Sequence, residues 1–243
     1  MLPYLLTCTI LFLSTLTRST LGFGDAVVAM PLLTLALGIR TAAPLVALVA
    51  TTSTIIILWS DWQVVDVKGI WRVVLAVVLG IPCGLLLLRD VSAQFMQALL
   101  GVFIVVFSLY NLGQPRLALR HDRWGLGYGF GFLAGLFGGA YNTVGPLLVV
   151  YGHLRRWPPE RFRATLQGCF FPTYLLIVIG HAMAGLLTMQ VLTLYSVSLP
   201  VVFLGVFLGQ RLNAALPHER FTCYVNMALV VIGGILCLRS SPF

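Results

Sequence analysis

Uncharged, mostly apolar runs follow one another along the whole chain: Thr41 to Ser60, Val73 to Leu88, Val91 to Leu112, Ala164 to Gln210 and Phe221 to Leu238. Runs near the ~18–20 residues that a helix needs to cross the hydrocarbon core predict transmembrane helices. Because Ala164 to Gln210 is long enough for two crossings, these runs alone predict six spans. The polar intervals between them, such as Gln114 to Arg123 and His153 to Arg163, are short loops that leave no room for a soluble domain. The expectation is one membrane domain over residues 1–243. The apolar start, Met1 to Leu16, has no Lys or Arg before Arg18, unlike a secretion signal, and is read as mature structure.

A second pattern interrupts the runs in each half. Gly22-Phe23-Gly24-Asp25-Ala26 leads to Pro31-Leu32-Leu33, and Gly135-Leu136-Phe137-Gly138-Gly139 leads to Pro146-Leu147-Leu148. Gly24 precedes Pro31 by seven positions, as Gly139 precedes Pro146. A helix breaker in corresponding places of two hydrophobic halves is the mark of a transporter built from repeats.

Loop charge decides how those segments enter the membrane. If each is an ordinary span, eight spans result and the basic residues divide six against eight, which is no bias. If each is a hairpin of two half-helices meeting at the glycines, one side holds Lys68, Arg72, Arg116, Arg120, Arg123, Arg155, Arg156, Arg161, Arg163, Arg211 and Arg220. The other side then holds only Arg40, Arg89 and Arg239, an asymmetry of eleven to three of the kind that orients membrane proteins. Length agrees for Gly125 to Gly152, whose 28 residues exceed one crossing and fall short of two. Pro3 to Leu37 is long enough for one full and one partial helix.

The predicted fold is therefore an all-α polytopic membrane protein of two inverted-topology repeats, residues 1–115 and 122–240. Each repeat is a glycine-broken re-entrant hairpin plus three transmembrane helices, about eight segments by hydropathy. Three crossings per repeat invert the second relative to the first and put both termini outside.

Backbone that is not helical survives at membrane depth only where protein or a water-filled cavity satisfies its N–H and C=O groups. Half-helices starting at Gly22, Gly24, Gly138 and Gly139 would aim unpaired N–H groups and a positive dipole end into such a cavity, an anion-binding arrangement. The competing explanation is that these glycines merely allow tight helix packing.

These motifs resemble those of the TauE/SafE sulfite exporter family, also called the 4-toluene sulfonate uptake permease family. Gly22, Gly24, Pro31, Leu32 and Leu33 match its first motif, and Gly135, Gly138, Gly139, Pro146, Leu147 and Leu148 its second. A basic loop and Phe162-Arg163-Ala164-Thr165-Leu166 follow, as in the family. The resemblance covers nearly the whole chain and implies a multi-span transporter of sulfite, sulfonates or related sulfur compounds. The chain departs from the family pattern at Asp25 and Ala26, which stand where glycines are usual.

An ionisable residue deep in a membrane segment is costly and is by default a functional candidate, so Asp25 is the expected proton-coupling residue. Its alternatives are an ion pair with Arg18, about two helical turns earlier, and a helix cap at Gly24 that would repel an anion. Arg18 could grip a sulfonate through its planar fork of donors or snorkel to the interface. Asn142 and Thr51 complete the expected substrate-binding set with Arg18 and the four glycines; Thr52, Ser53 and Gln167 invite the same weighing of cavity against packing. His153 and His181 are weaker candidates for proton relay.

Composition agrees with this class: 59% of residues are hydrophobic and only 9% charged. The net charge of +8 is scattered among loops and does not form a nucleic-acid-binding face. Cys8, Cys83, Cys169, Cys223 and Cys237 form no CxxC pair or cluster with His, so neither a disulfide framework nor a metal site is expected, and no cofactor. No Gly-x-Ser-x-Gly elbow, HExxH or phosphate-binding loop occurs, so a non-enzyme is expected. The reading is a multi-pass secondary transporter of the inner (plasma) membrane, with a small anion, a proton and the lipid bilayer as partners and a homodimer as its assembly. A passive anion pore and a non-transporting assembly scaffold are the alternatives.

Overall fold

The apolar runs fold as helices throughout. A computed structural model describes residues 2–61, 67–113, 124–155, 159–215 and 218–240, and among them ten helices and no strand. The helices are α1 (Leu2–Leu21), α2 (Asp25–Leu37), α3 (Ile39–Asp61), α4 (Val67–Asp90), α5 (Ala93–Gly113), α6 (Trp124–Tyr141), α7 (Val144–Leu154), α8 (Pro159–Met183), α9 (Met189–Ala215) and α10 (His218–Ser240).

Six are long and apolar enough to cross a membrane, with windows at Tyr4–Leu21, Ile39–Trp59, Trp71–Asp90, Ala93–Gly113, Leu166–Met183 and Met189–Leu212. The number equals the six spans read from the runs, but the membership differs. Tyr4–Leu21 enters the set, while the described apolar part of α10, Val225–Arg239, falls among the shorter helices. Trp59, Leu79, Phe95, Val106, Phe203 and Val231 stand exposed on the outer faces of their helices. A belt of this extent suits lipid, since soluble monomers rarely expose large contiguous apolar surface.

Both expected interruptions exist: the first is one full and one partial helix meeting at glycines, as the length of Pro3 to Leu37 allows, and the second does not lie at its glycines. The first joins a helix of full spanning length, α1 with 20 residues, to the 13-residue α2. Gly22 (φ 85°) and Gly24 (φ 102°) turn the chain there in the left-handed region, where a Cβ would be strained. The second break lies at Asn142-Thr143, three residues beyond the predicted Gly138-Gly139, between the 18-residue α6 and the 11-residue α7. Asn142 takes the left-handed conformation itself (φ 58°), which Asn tolerates better than most residues. Pro31 is consequently the seventh residue of α2 and Pro146 the third of α7, so the shared glycine-to-proline spacing does not mark one structural register.

Gly138 and Gly139 remain helical because their missing side chains serve packing. A Cβ on Gly139 would overlap the Ile81 carbonyl of α4, and one on Gly138 would come within 2.5 Å of Val144. Gly131 and Gly135 of α6 meet Val73 and Val77, while Gly80 and Gly84 of α4 meet Phe132 and Leu136, so the two backbones touch with α4 and α6 parallel. In the same way Gly205 and Gly209 of α9 press against Thr15 and Ser19 of α1, again in parallel. Gly101 of α5 packs on Gly233 and Cys237 of α10, and Asn111 bonds Asn226, so that pair runs antiparallel. These three pairs make the most extensive helix contacts of the fold. Small residues permit this approach, and dispersion at short range then holds helices that lipid does not drive together.

Replacing Gly135 with Leu should force α4 and α6 apart and destabilise the protein by about 1–3 kcal/mol or more. Gly129→Leu, on the same helix with nothing within 4 Å of the added Cβ, should leave stability nearly unchanged. Thermal unfolding of the two variants in detergent, read by size-exclusion fluorescence, checks the difference.

Candidate substrate site

Arg18 sits in the last turn of α1, just before the first break, and is fully buried. A guanidinium cannot be left bare in an apolar bundle, and three other helices, α2, α3 and α8, supply partners to this one. Its Nη1 donates to Asp25 Oδ2 at 2.5 Å, and its Nη2 donates to Thr54 Oγ1 of α3 at 2.6 Å and to Gln167 Oε1 of α8 at 3.1 Å. Phe170 and Tyr174 of α8 each lie with ring centroids 5.1 Å from the guanidinium carbon, a cation–π contact on two rings. Gln167, Phe170 and Tyr174 reach it together because positions i, i+3 and i+7 share one helix face. The Nε–H has no hydrogen-bond partner among the described residues.

The carboxylate is the counter-charge. Asp25 opens α2 without capping it: Gly24 is the N-cap residue, with no side-chain cap bond, and the Asp25 side chain turns back to Arg18 with 6% of its surface exposed. Arg18 and Asp25 form an ion pair, the helix cap does not form, and Arg18 does not snorkel to an interface.

The remaining predicted residues fall around this centre to different degrees. The Gly22 carbonyl accepts a hydrogen bond from Gln167 Nε2 at 2.8 Å, tying the first break to α8. Gly24 lines a cleft on its other side with Thr17, Phe23, Phe107, Asn111 and Asn226. Asn142 is buried at the second break and donates to the Ala43 carbonyl of α3 at 2.7 Å, while its Oδ1 has no partner among the described residues. Tyr174 connects the two regions, its ring on Arg18 and its hydroxyl donating to the Asn142 carbonyl at 3.4 Å. Gly145, at the start of α7, faces both Phe23 and Phe170.

Thr51 stays apart; its hydroxyl bonds the Ala47 carbonyl of its own helix, and Thr52 bonds Tyr195. Gly138 and Gly139 face Val144 and α4, as described above. His181 is buried with both ring nitrogens unpartnered among the described residues. The His153 side chain and those of Phe162 to Thr165 lie outside the described residues. Thr54, Phe170 and Tyr174 were not singled out from the sequence, although the Gln167, Phe170, Tyr174 spacing is a legible polar and aromatic stripe.

A cation, a carboxylate and three neutral polar groups enclosed beside a broken helix define a polytopic membrane protein with a charged site inside the bundle. The sequence profile described as Sulfite exporter TauE/SafE matches residues 7–236, nearly the whole chain, and the protein belongs to that family. Comparison with curated proteins and with solved structures gives no match.

Removing one member of a buried ion pair leaves an uncompensated charge, so Asp25→Leu should cost about 3–5 kcal/mol. The double variant Arg18→Met, Asp25→Leu should recover most of that loss, because apolar groups of similar volume replace a buried pair at little net cost. Melting temperatures of the single and double variants in detergent test both statements.

Proposed function

We propose that this protein is a secondary carrier of a small anion in the inner (plasma) membrane, with sulfite, a sulfonate or a related sulfur oxyanion as cargo and a proton as co-substrate. The observation that carries this reading is Arg18, a permanent cation with no exposure, held at a helix break by side chains from both halves of the chain. A buried charge there is expensive to maintain and is by default functional. An arginine whose Nε–H has no partner among the described residues is suited to oxyanion oxygens, and the family match supports a sulfur oxyanion.

Two inverted repeats are supported by which residues share a partner. Late in α3, Thr54 meets Arg18 together with Gln167, which is early in α8; early in α3, Ala43 meets Asn142 together with Tyr174, which is late in α8. Helices α3 and α8 are thus antiparallel, α1 follows α3, α6 follows α8, and the two hairpins enter from opposite faces. Swapping halves also exchanges the parallel pair α4 and α6 with α9 and α1, while mapping α5 with α10 onto itself. Along α3 and α8 the anchor points lie roughly 10–16 Å apart, so the breaks flank a shared central layer. Arg40 donating to the Arg89 carbonyl brings together two residues of the side poor in basic charge.

Purified protein in liposomes should take up radiolabelled sulfite or an alkanesulfonate saturably, which separates a carrier from a pore. The neutral double variant Arg18→Met, Asp25→Leu should lower uptake by about 10- to 100-fold, the worth of hydrogen bonds to a charged group. Native protein that folds but moves neither anion would overturn the reading. For orientation, a single cysteine at Ser92 should react with an impermeant reagent on intact cells, and one at Ala118 only after the cells are opened.

A further inference from the structure

The charge balance at Arg18 restricts what the site can carry. We infer that Asp25 is a built-in stand-in for the substrate, and that the site takes a monovalent oxyanion together with one proton while rejecting divalent ones. The inference rests on the carrier reading for its consequence in transport but concerns binding itself.

The groups that face Asp25 are known element by element among the described residues. Helix α1 contributes Arg18, and α8 contributes Gln167 and Tyr174 around the same guanidinium. From α3 comes Thr54, neutral, and α5 and α10 contribute Asn111 and Asn226 at the cleft beside Gly24, also neutral. Among the described residues Arg18 is the one cation of this enclosure, and Asp25 occupies its Nη1 as an oxyanion oxygen would. With the pair intact the charges of these described groups sum to zero.

An anion therefore has a place on Nη1 only when the carboxylate leaves it, and a bare carboxylate beside a second anion inside the bundle is repelled. A proton from the aqueous phase on the Asp25 oxygen removes both obstacles. The carboxylate becomes a neutral carboxyl group, the anion accepts the released Nη1–H and the unused Nε–H, and the reverse step returns the proton to water. Arg18 with a monovalent anion and a neutral Asp25 sums to zero, the same as the resting pair. A divalent anion leaves one uncompensated negative charge, and buried unpaired charge is the costly case. The oxyanion class is thus that of bisulfite or a monosulfonate, and not that of sulfate.

Titration calorimetry on the purified full chain tests this, using methanesulfonate as a monovalent probe and sulfate as a divalent one, in two buffers of different ionisation enthalpy. The expected result is uptake of one proton per methanesulfonate bound, tightening as pH falls, with sulfate at least about tenfold weaker. In Asp25→Asn the methanesulfonate should still bind, but with no proton uptake and no pH dependence. No proton uptake by the native protein, binding of sulfate as tight as methanesulfonate, or absence of methanesulfonate binding would each overturn the inference. The native-protein measurements stand even if the variant does not fold. Proton-linked methanesulfonate binding without flux in liposomes would sink the carrier reading and leave the charge rule intact.

Discussion

A guanidinium with no exposure, inside a bundle whose outer faces suit lipid, is the constraint on which the centre of this structure depends. Arg18 cannot be neutralised and is not at an interface, so its charge must be met from within the protein. That requirement brings α2 back under α1, draws Thr54 from α3 and Gln167 from α8, and sets two aromatic rings against the cation. The turn at Gly22 to Gly24 is what lets a residue seven positions later face the same point, and Gln167 also satisfies the Gly22 carbonyl that the turn exposes. One side chain thus organises the first break, and Tyr174 extends that organisation to the second.

Glycine plays two different parts in the chain, and sequence alone separates them poorly. Gly22 and Gly24 bend the backbone, whereas Gly135 and Gly139 hold it straight and close to α4. Both pairs sit in similar motifs, with Gly24 and Gly139 each seven positions before a proline, so the motif places an interruption in each half without fixing its residue. The second interruption is at Asn142, a residue that needs no glycine to turn, and so the breaker pattern points three positions too early. Helix existence was legible because apolar run length is a direct physical requirement of the bilayer. Break position was not, because backbone contact between α4 and α6, distant in sequence, decides which glycines stay helical.

The site was legible in part for a related reason. Arg18 and Asp25 are conspicuous as charges where charge is expensive, and their separation by two turns already admitted the pair that forms. Thr54, Phe170 and Tyr174 carry no such signal, since hydroxyl and aromatic residues are common in membrane helices and acquire meaning only from a partner. Thr51 shows the converse: like Thr54 it donates its hydroxyl to a carbonyl one turn back on α3, but only the Thr54 oxygen also accepts from Arg18. A difference of three positions is nearly one turn, so the two share a general side of α3, and only the placement of α1 selects between them.

The two modes of packing also determine where movement is cheap. Parallel α4 with α6, and α1 with α9, meet backbone to backbone, with no layer of side chains that could repack. Each pair joins the long arm of one hairpin to a helix of the other half, so the halves are locked together along those seams. Helices α3 and α8 instead meet the hairpins through side chains, by apolar packing and by hydrogen bonds at Arg18, Gly22 and Asn142. Sliding in such a layer repacks side chains and exchanges hydrogen bonds without separating surfaces, which is the shear type of motion. Because α3 and α8 each touch both breaks, a shift that loosens the contacts at Arg18 necessarily alters those at Asn142. Under the carrier reading, access from the two faces is therefore coupled through α3 and α8, and the seams at α4 with α6 and α1 with α9 are the parts that stay fixed.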